Sequence, residues 1–103
     1  MSEFNNITIV KLANVYYEGN VNSRTLRFAD GSVKTLGFML PGVYTFNTAD
    51  AELMEILAGE LEVSLADNAK RTVKGGESFQ VPADSQFTVT VKTPSDYCCS
   101  FLK

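Results

Sequence analysis

At 103 residues, of which 45% are hydrophobic, the chain has the length and apolar mass of one compact domain, which excludes an intrinsically disordered protein. A net charge of −3 and an isoelectric point near 4.8 leave no basic footprint for nucleic acid or for an anionic membrane surface. No apolar run approaches a membrane span, and Met1-Ser-Glu-Phe-Asn-Asn6 lacks the charged and apolar regions of a signal peptide, so a cytoplasmic protein is expected.

Residues 1–6 are polar and expected to be flexible, and Ile7 to Leu12 then reads as a first strand. Val15 to Glu18 is a short second strand, and Gly19-Asn20 is a turn signal. Val21 to Phe28 follows as a strand, and Asp30-Gly31 predicts a tight hairpin into Val33 to Leu40. Gly37, inside that strand, marks a bulge or a close approach of backbone.

Pro41-Gly42 opens the next segment, with strands expected over Val43 to Asn47, Leu53 to Ala58 and Leu61 to Ala66. Asp50 and Glu52 suit the first turn of a helix, so one helical turn is allowed at the start of Ala49 to Leu57. Asp67 to Lys70 is a turn, Arg71 to Val73 a brief strand, and Ser78 to Val81, Gln86 to Lys92 and Asp96 to Leu102 complete the set. Short strands at regular spacing, with turn residues between them and no amphipathic helix, predict an all-β sandwich or barrel in a single domain. Cys98 and Cys99 are adjacent, point to opposite faces of a strand and are expected to stay reduced.

Two segments carry a specific pattern: Glu52, six residues and Gly59, then Gly76, five residues and Pro82. Their spacing resembles the paired signatures of the cupin superfamily, which implies a jelly-roll β-barrel. A metal-binding cupin would carry histidines where this chain has Phe46, Thr48 and Phe87; only Glu52 keeps a ligand type. The chain has no histidine at all, so the usual imidazole site cannot be built and no metal is expected.

A narrower likeness rests on Gly37-Phe-Met-Leu-Pro-Gly-Val-Tyr-Thr-Phe-Asn-Thr-Ala49, the Glu52 to Gly59 segment, Gly76 to Pro82 and Tyr97-Cys-Cys-Ser-Phe-Leu102. Together these resemble the pyrimidine/purine nucleoside phosphorylase family, a group of small cupin-like proteins. The resemblance implies a pentosyltransferase that uses inorganic phosphate to cleave purine and pyrimidine nucleosides to free base and α-D-ribose 1-phosphate. Phosphate would be a co-substrate, with no further cofactor.

On that reading Tyr44, Phe46 and Thr48 share a parity and face the barrel interior, where Tyr44, Phe46 and Phe87 could stack on a nucleobase. The bland alternative is that these rings fill a small barrel. Glu52 and Thr48 are the candidate catalytic pair: the carboxylate could accept from ribose hydroxyls or stabilise positive charge at the anomeric carbon. Glu55 has the opposite parity and is expected to face solvent.

Phosphate needs donors, and Arg24 and Arg71 are the candidates, with Arg27, Lys34 and Lys74 behind them. Lys74-Gly75-Gly76 reads as a hairpin turn more readily than as an anion nest. Where the family carries an arginine next to the terminal cysteine, this chain has Ser100. The expected partners are nucleosides, phosphate and a second copy of the chain, because an open jelly roll leaves sheet edges; Ile7 to Glu18 is the expected dimer edge. The rival class is a non-catalytic cupin module that binds a small metabolite or only dimerises.

Overall fold

The computed structural model describes residues 3–66 and 69–102. Among these residues eleven strands run in chain order: β1 Thr8–Ile9, β2 Asn14–Tyr16, β3 Val21–Arg27, β4 Val33–Met39, β5 Gly42–Asn47 and β6 Ala51–Ala58, then β7 Glu60–Ser64, β8 Lys70–Lys74, β9 Glu77–Val81, β10 Gln86–Val91 and β11 Ser95–Leu102. A single 3-10 turn, Tyr17–Gly19, follows β2, and no α-helix occurs among the described residues.

The strands form two sheets. One has the order β1-β3-β4-β11-β6-β9, with β2 also pairing with β3; the other has the order β5-β10-β7-β8. All pairings are antiparallel, and the two apolar faces close on each other as a jelly roll.

Alternation along each strand sets what goes inside. In β7, Leu61 and Val63 are buried, as are Val89 and Val91 in β10 and Phe79 and Val81 in β9. Met39, Tyr44, Met54, Ile56, Phe87 and Tyr97 complete the same core.

The Asp30-Gly31 hairpin forms as expected, with Gly31 at φ 88° and the Asp30 carboxylate accepting from the amide and hydroxyl of Ser32. The expected first strand shortens to two residues because the chain leaves β3 after the Val10 amide donates to Thr25 O. The Lys11 carbonyl then accepts from Arg24 Nη1 at 2.6 Å.

The helical turn allowed at Ala49 to Leu57 does not form. Residues from Ala51 onward lie between β11 and β9 and pair with both, and two ladders of hydrogen bonds outweigh a favourable first-turn charge. Of the expected Asp67 to Lys70 turn, Asp67 and Asn68 lie outside the described residues, as do Met1 and Ser2. Phe4 lies edge-on to Phe28, with ring centroids 5.2 Å apart.

Candidate functional site

A cavity of about 320 Å³ opens at one end of the barrel, between the inner faces of the two sheets. Its size falls at the low end of the ~300–1,000 Å³ usual for small-molecule sites. One wall is aromatic. Phe46 on β5 and Phe87 on β10 are direct cross-strand partners, with ring centroids 5.6 Å apart. Tyr16 from β2 meets Phe46 edge-on at 6.1 Å, and Phe79 backs Phe87 at 6.2 Å.

The opposite wall is polar and is built from rows of residues in register across the larger sheet. In one row Ser23, Gly37 and Tyr97 stand side by side on β3, β4 and β11. A side chain at residue 37 would place its first carbon 2.4 Å from Asn22 O and 2.6 Å from the Tyr97 ring, so glycine is required for the ring to cross β4. The ring thereby extends toward Ser23, whose hydroxyl accepts from Asn14 Nδ2 at 3.1 Å. Burial pushes the Tyr97 phenol up to about 12, so it stays neutral at any working pH.

In the next row Thr35 on β4 pairs with Cys99 on β11, which pairs with Met54 on β6. Thr35, Cys99 and Glu52 share this face and line the same cavity, with the Cys99 thiol placed to offer its proton to the Glu52 carboxylate. Burial first, and then the adjacent Glu52 charge, raise the Cys99 thiol far above its ordinary value, which keeps it a thiol and a donor. Glu52 is half-buried, and desolvation raises its carboxyl above the ordinary value. The Cys99 hydrogen bond opposes that rise, and Asp50 at the exposed rim adds to it.

The candidate residues divide. Phe46, Phe87 and Glu52 line the cavity together. Tyr44 shares their face, but it is buried in the core and its hydroxyl donates to Leu40 O at 2.7 Å. Thr48 does not line the cavity. Its hydroxyl donates to Pro82 O at 2.7 Å and accepts from the Ser85 amide at 3.0 Å, so it joins two loops and its proton is committed away from the cavity.

Neither arginine reaches the cavity. Arg24 lies on the outer face of β3, bonded to Lys11 O, and Arg71 on β8 bridges to the Ser78 carbonyl at the seam between the sheets. The amides of Lys74, Gly75 and Gly76 are taken by Glu77, Gly59 O and Ile56 O, so this hairpin is no anion nest. Ser100 faces away from the cavity, the parity opposite to Cys99, and its buried hydroxyl has no hydrogen-bond partner.

Sequence reasoning missed Tyr16, Ser23, Thr35, Tyr97 and Cys99 as wall residues. Only Gly37 signalled that something must press against β4.

Above the aromatic wall the rim is pinned by Tyr17. Its hydroxyl donates to Thr45 O at 2.6 Å and accepts from Thr45 N at 2.9 Å, satisfying the Thr45 pair on the free edge of β5 as a neighbouring strand would. Tyr17 and Glu18 hold left-handed φ angles of 50° and 58° to do so.

Metal chemistry lacks its ligands here: Phe46 and Phe87 are carbon where a metal cupin has imidazole. Among the described residues no group of three or more His, Cys, Asp or Glu side chains could hold a metal ion. The residues present do not fit a transition metal.

Comparison with known proteins places this geometry. A crystal structure of a protein of unknown function from Acinetobacter superposes with a TM-score of 0.94 at 39% identity, covering 97% of this chain and 98% of that one. An RmlC-like cupin from Shewanella frigidimarina matches with a TM-score of 0.71 at 18% identity, over 97% of this chain and 86% of that one, and so shares the fold. A Geotalea daltonii protein named pyrimidine/purine nucleoside phosphorylase is 62% identical over 103 residues, 99% of each chain. The family described as pyrimidine/purine nucleoside phosphorylase matches residues 11–101. The chain therefore belongs to the pyrimidine/purine nucleoside phosphorylase family.

Proposed function

We propose that the protein is a metal-independent pentosyltransferase that cleaves purine and pyrimidine nucleosides with inorganic phosphate to free base and α-D-ribose 1-phosphate. The observation that carries this reading is the pairing, in one cavity, of the Phe46–Phe87 wall with the half-buried carboxyl of Glu52. A flat base gains about 1–3 kcal/mol by stacking on such a wall whatever its exocyclic groups, which suits broad base specificity. The Glu52 side then receives the ribose, and phosphate attacks the anomeric carbon from the open mouth. Holding the two reactants in line replaces a bimolecular encounter, and no covalent intermediate is required.

Incubation with a panel of purine and pyrimidine nucleosides, with and without phosphate, tests the proposal. Base should appear only with phosphate, and in equal amount with ribose 1-phosphate. Failure to cleave any common nucleoside under these conditions sinks it.

A second reading has its own observation. No arginine or lysine lines the cavity among the described residues, so a phosphate dianion finds no countercharge there. That favours a binding module for neutral nucleosides or other small metabolites. Nucleoside affinity unaffected by phosphate, together with no turnover, would select it.

We propose further that the chain forms homodimers. Its first strands expose Ile9, Leu12 and Val15 at 57%, 82% and 61%, the apolar edge a second copy would cover. Sedimentation showing only monomer at assay concentration would exclude this. The compartment proposed is the cytoplasm, in keeping with Cys98 and Cys99 as free thiols.

A further inference from the structure

The cavity poses an electrostatic problem that one proton would solve. Glu52 and Asp50 both line it, and neither an arginine nor a lysine does among the described residues. A phosphate dianion placed beside two ionised carboxylates is repelled by both. A departing base has a related need, because the glycosidic bond breaks with its electron pair on a ring nitrogen and the base leaves more easily if it gains a proton.

We infer that Glu52 carries that proton and delivers it to the departing base, and that Cys99, donating to Glu52 from β11, sets how firmly Glu52 holds it. The inference rests on the phosphorolysis reading above and assigns roles within the same site.

The geometry behind it is a cross-strand chain. Thr35 on β4 is the direct cross-strand neighbour of Cys99, and Glu52 stands on the same face of β6, two residues from Met54, the neighbour of Cys99 on its other side. Each of these side chains lines the same cavity as the aromatic wall. Cys99 is buried, and its thiol has no histidine to activate it, so its contribution is a hydrogen bond and not nucleophilic attack.

The groups facing Glu52 are few. Asp50 from the β5–β6 loop raises its carboxyl, Cys99 from β11 lowers it, and the neutral phenol of Tyr97 on β11 and the ring of Tyr16 on β2 also line the cavity. From β9 and β10 the residues packed on this side are Val81, Phe79 and Phe87, which do not titrate. Desolvation is the largest influence and favours the neutral acid.

The step balances without a further reactant. An oxygen of hydrogen phosphate forms the bond to the anomeric carbon as the carbon–nitrogen bond breaks toward the base. The base takes the proton of the Glu52 carboxylic acid. The proton of the phosphate, acidified when its oxygen becomes an ester, returns to the Glu52 carboxylate. The products are neutral base and ribose 1-phosphate dianion, with Glu52 protonated as before.

The test is the pH profile of kcat/KM at fixed phosphate for wild type, Glu52→Gln, Cys99→Val and Cys99→Ser, with an infrared titration of the Glu52 carboxyl in parallel. Wild-type activity should fall along an alkaline limb as Glu52 ionises. Glu52→Gln should lower kcat/KM by about 10²–10⁴-fold and abolish that limb. Cys99→Val keeps the volume but removes the donor, so both the limb and the infrared midpoint should move to higher pH. Cys99→Ser keeps a donor and should hold them at or below the wild-type position.

An active wild type whose limb survives in Glu52→Gln overturns the proton-donor role while leaving phosphorolysis intact. An infrared midpoint unmoved in Cys99→Val overturns the role of Cys99. A wild type with no phosphorolysis fails the functional reading and proton delivery with it, and the infrared titration still decides whether Cys99 governs Glu52.

Discussion

The two faces of the larger sheet hold two hollows of unequal size, and the larger is not the one where polar side chains converge. The outer groove measures about 510 Å³ and is walled mainly by Phe4, Ile7, Ile9, Leu26, Leu36 and Leu57, with Lys34 and Glu55 at its margin. The inner cavity measures about 320 Å³ and gathers Ser23, Thr35, Glu52, Tyr97 and Cys99 opposite an aromatic wall. Adjacent residues of one strand serve both: Cys98 lines the groove and Cys99 the cavity. Convergence of buried hydrogen-bonding groups distinguishes a candidate site from a plain hollow, and on a sheet one step along the chain exchanges the two.

The largest effect that tests this contrast is at Phe87, whose side chain is only 3% exposed and belongs to the core as well as to the cavity wall. Phe87→Ala should cost about 3–5 kcal/mol of stability in a denaturant titration. Gln80→Ala, exposed on the outer face of β9, should stay within about 0.5 kcal/mol. Comparable losses at the two sites would mean that the inner face is no more tightly organised than the outer.

Gly37→Ala comes next. The added carbon collides with Asn22 O and the Tyr97 ring, so either β4 shifts from β3 or the ring leaves Ser23. A loss of about 1–3 kcal/mol is expected, with a drop in activity because the polar wall moves. A fully stable and active Gly37→Ala protein would show that the Ser23–Tyr97 contact does not shape the site.

Phe46 separates stacking from packing. It is partly exposed and lies at the mouth of the cavity, so Phe46→Ala should change stability less than Phe87→Ala does. Its effect belongs in KM for the nucleoside, raised by an amount corresponding to about 1–3 kcal/mol and similar for purines and pyrimidines. A change confined to one class of base would replace general stacking with specific recognition.

These outcomes bear on what the sequence could reveal. The strands were legible because alternation is local: Leu61, Val63, Val89 and Val91 show their buried face within a few residues. Phe46 and Phe87 were legible as a pair through the family spacing, and the structure brings them into contact. The polar wall was not legible. Ser23, Gly37 and Tyr97 meet only because β3, β4 and β11 pair in one register, and β11 lies far from the other two in the chain.

Local rules also misplaced residues. Thr48 has the parity of Phe46, but β5 ends at Asn47, and beyond a strand's end alternation no longer sets direction. Its hydroxyl instead joins Pro82 and Ser85. Charge alone singles out the arginines, although the register carries Arg24 outward and takes Arg71 to the seam.

Glu52 gives the smallest effect on stability, and one whose sign opposes its proposed catalytic role. Its folded carboxyl is raised above the ordinary value of 4.5, chiefly by desolvation, so the folded protein binds a proton more tightly than the unfolded chain does. The stabilising contribution is therefore fully present below about pH 4.5 and is lost as pH rises through the raised folded value. Above that value an ionised, half-buried carboxylate burdens the fold. Glu52→Gln keeps the shape and removes the charge, so it should raise Tm at pH 7 to 8 while abolishing most of the activity. The gain should shrink on acidification and vanish below about pH 4.5, where the wild-type carboxyl is itself neutral. Partial exposure lets water screen the burden, which keeps the shift small. Melting curves of the two proteins at a series of pH values decide the matter: an advantage for Glu52→Gln that grows toward acid would mean that the carboxylate is stabilised in the fold, and Glu52 could not then hold a proton for the departing base.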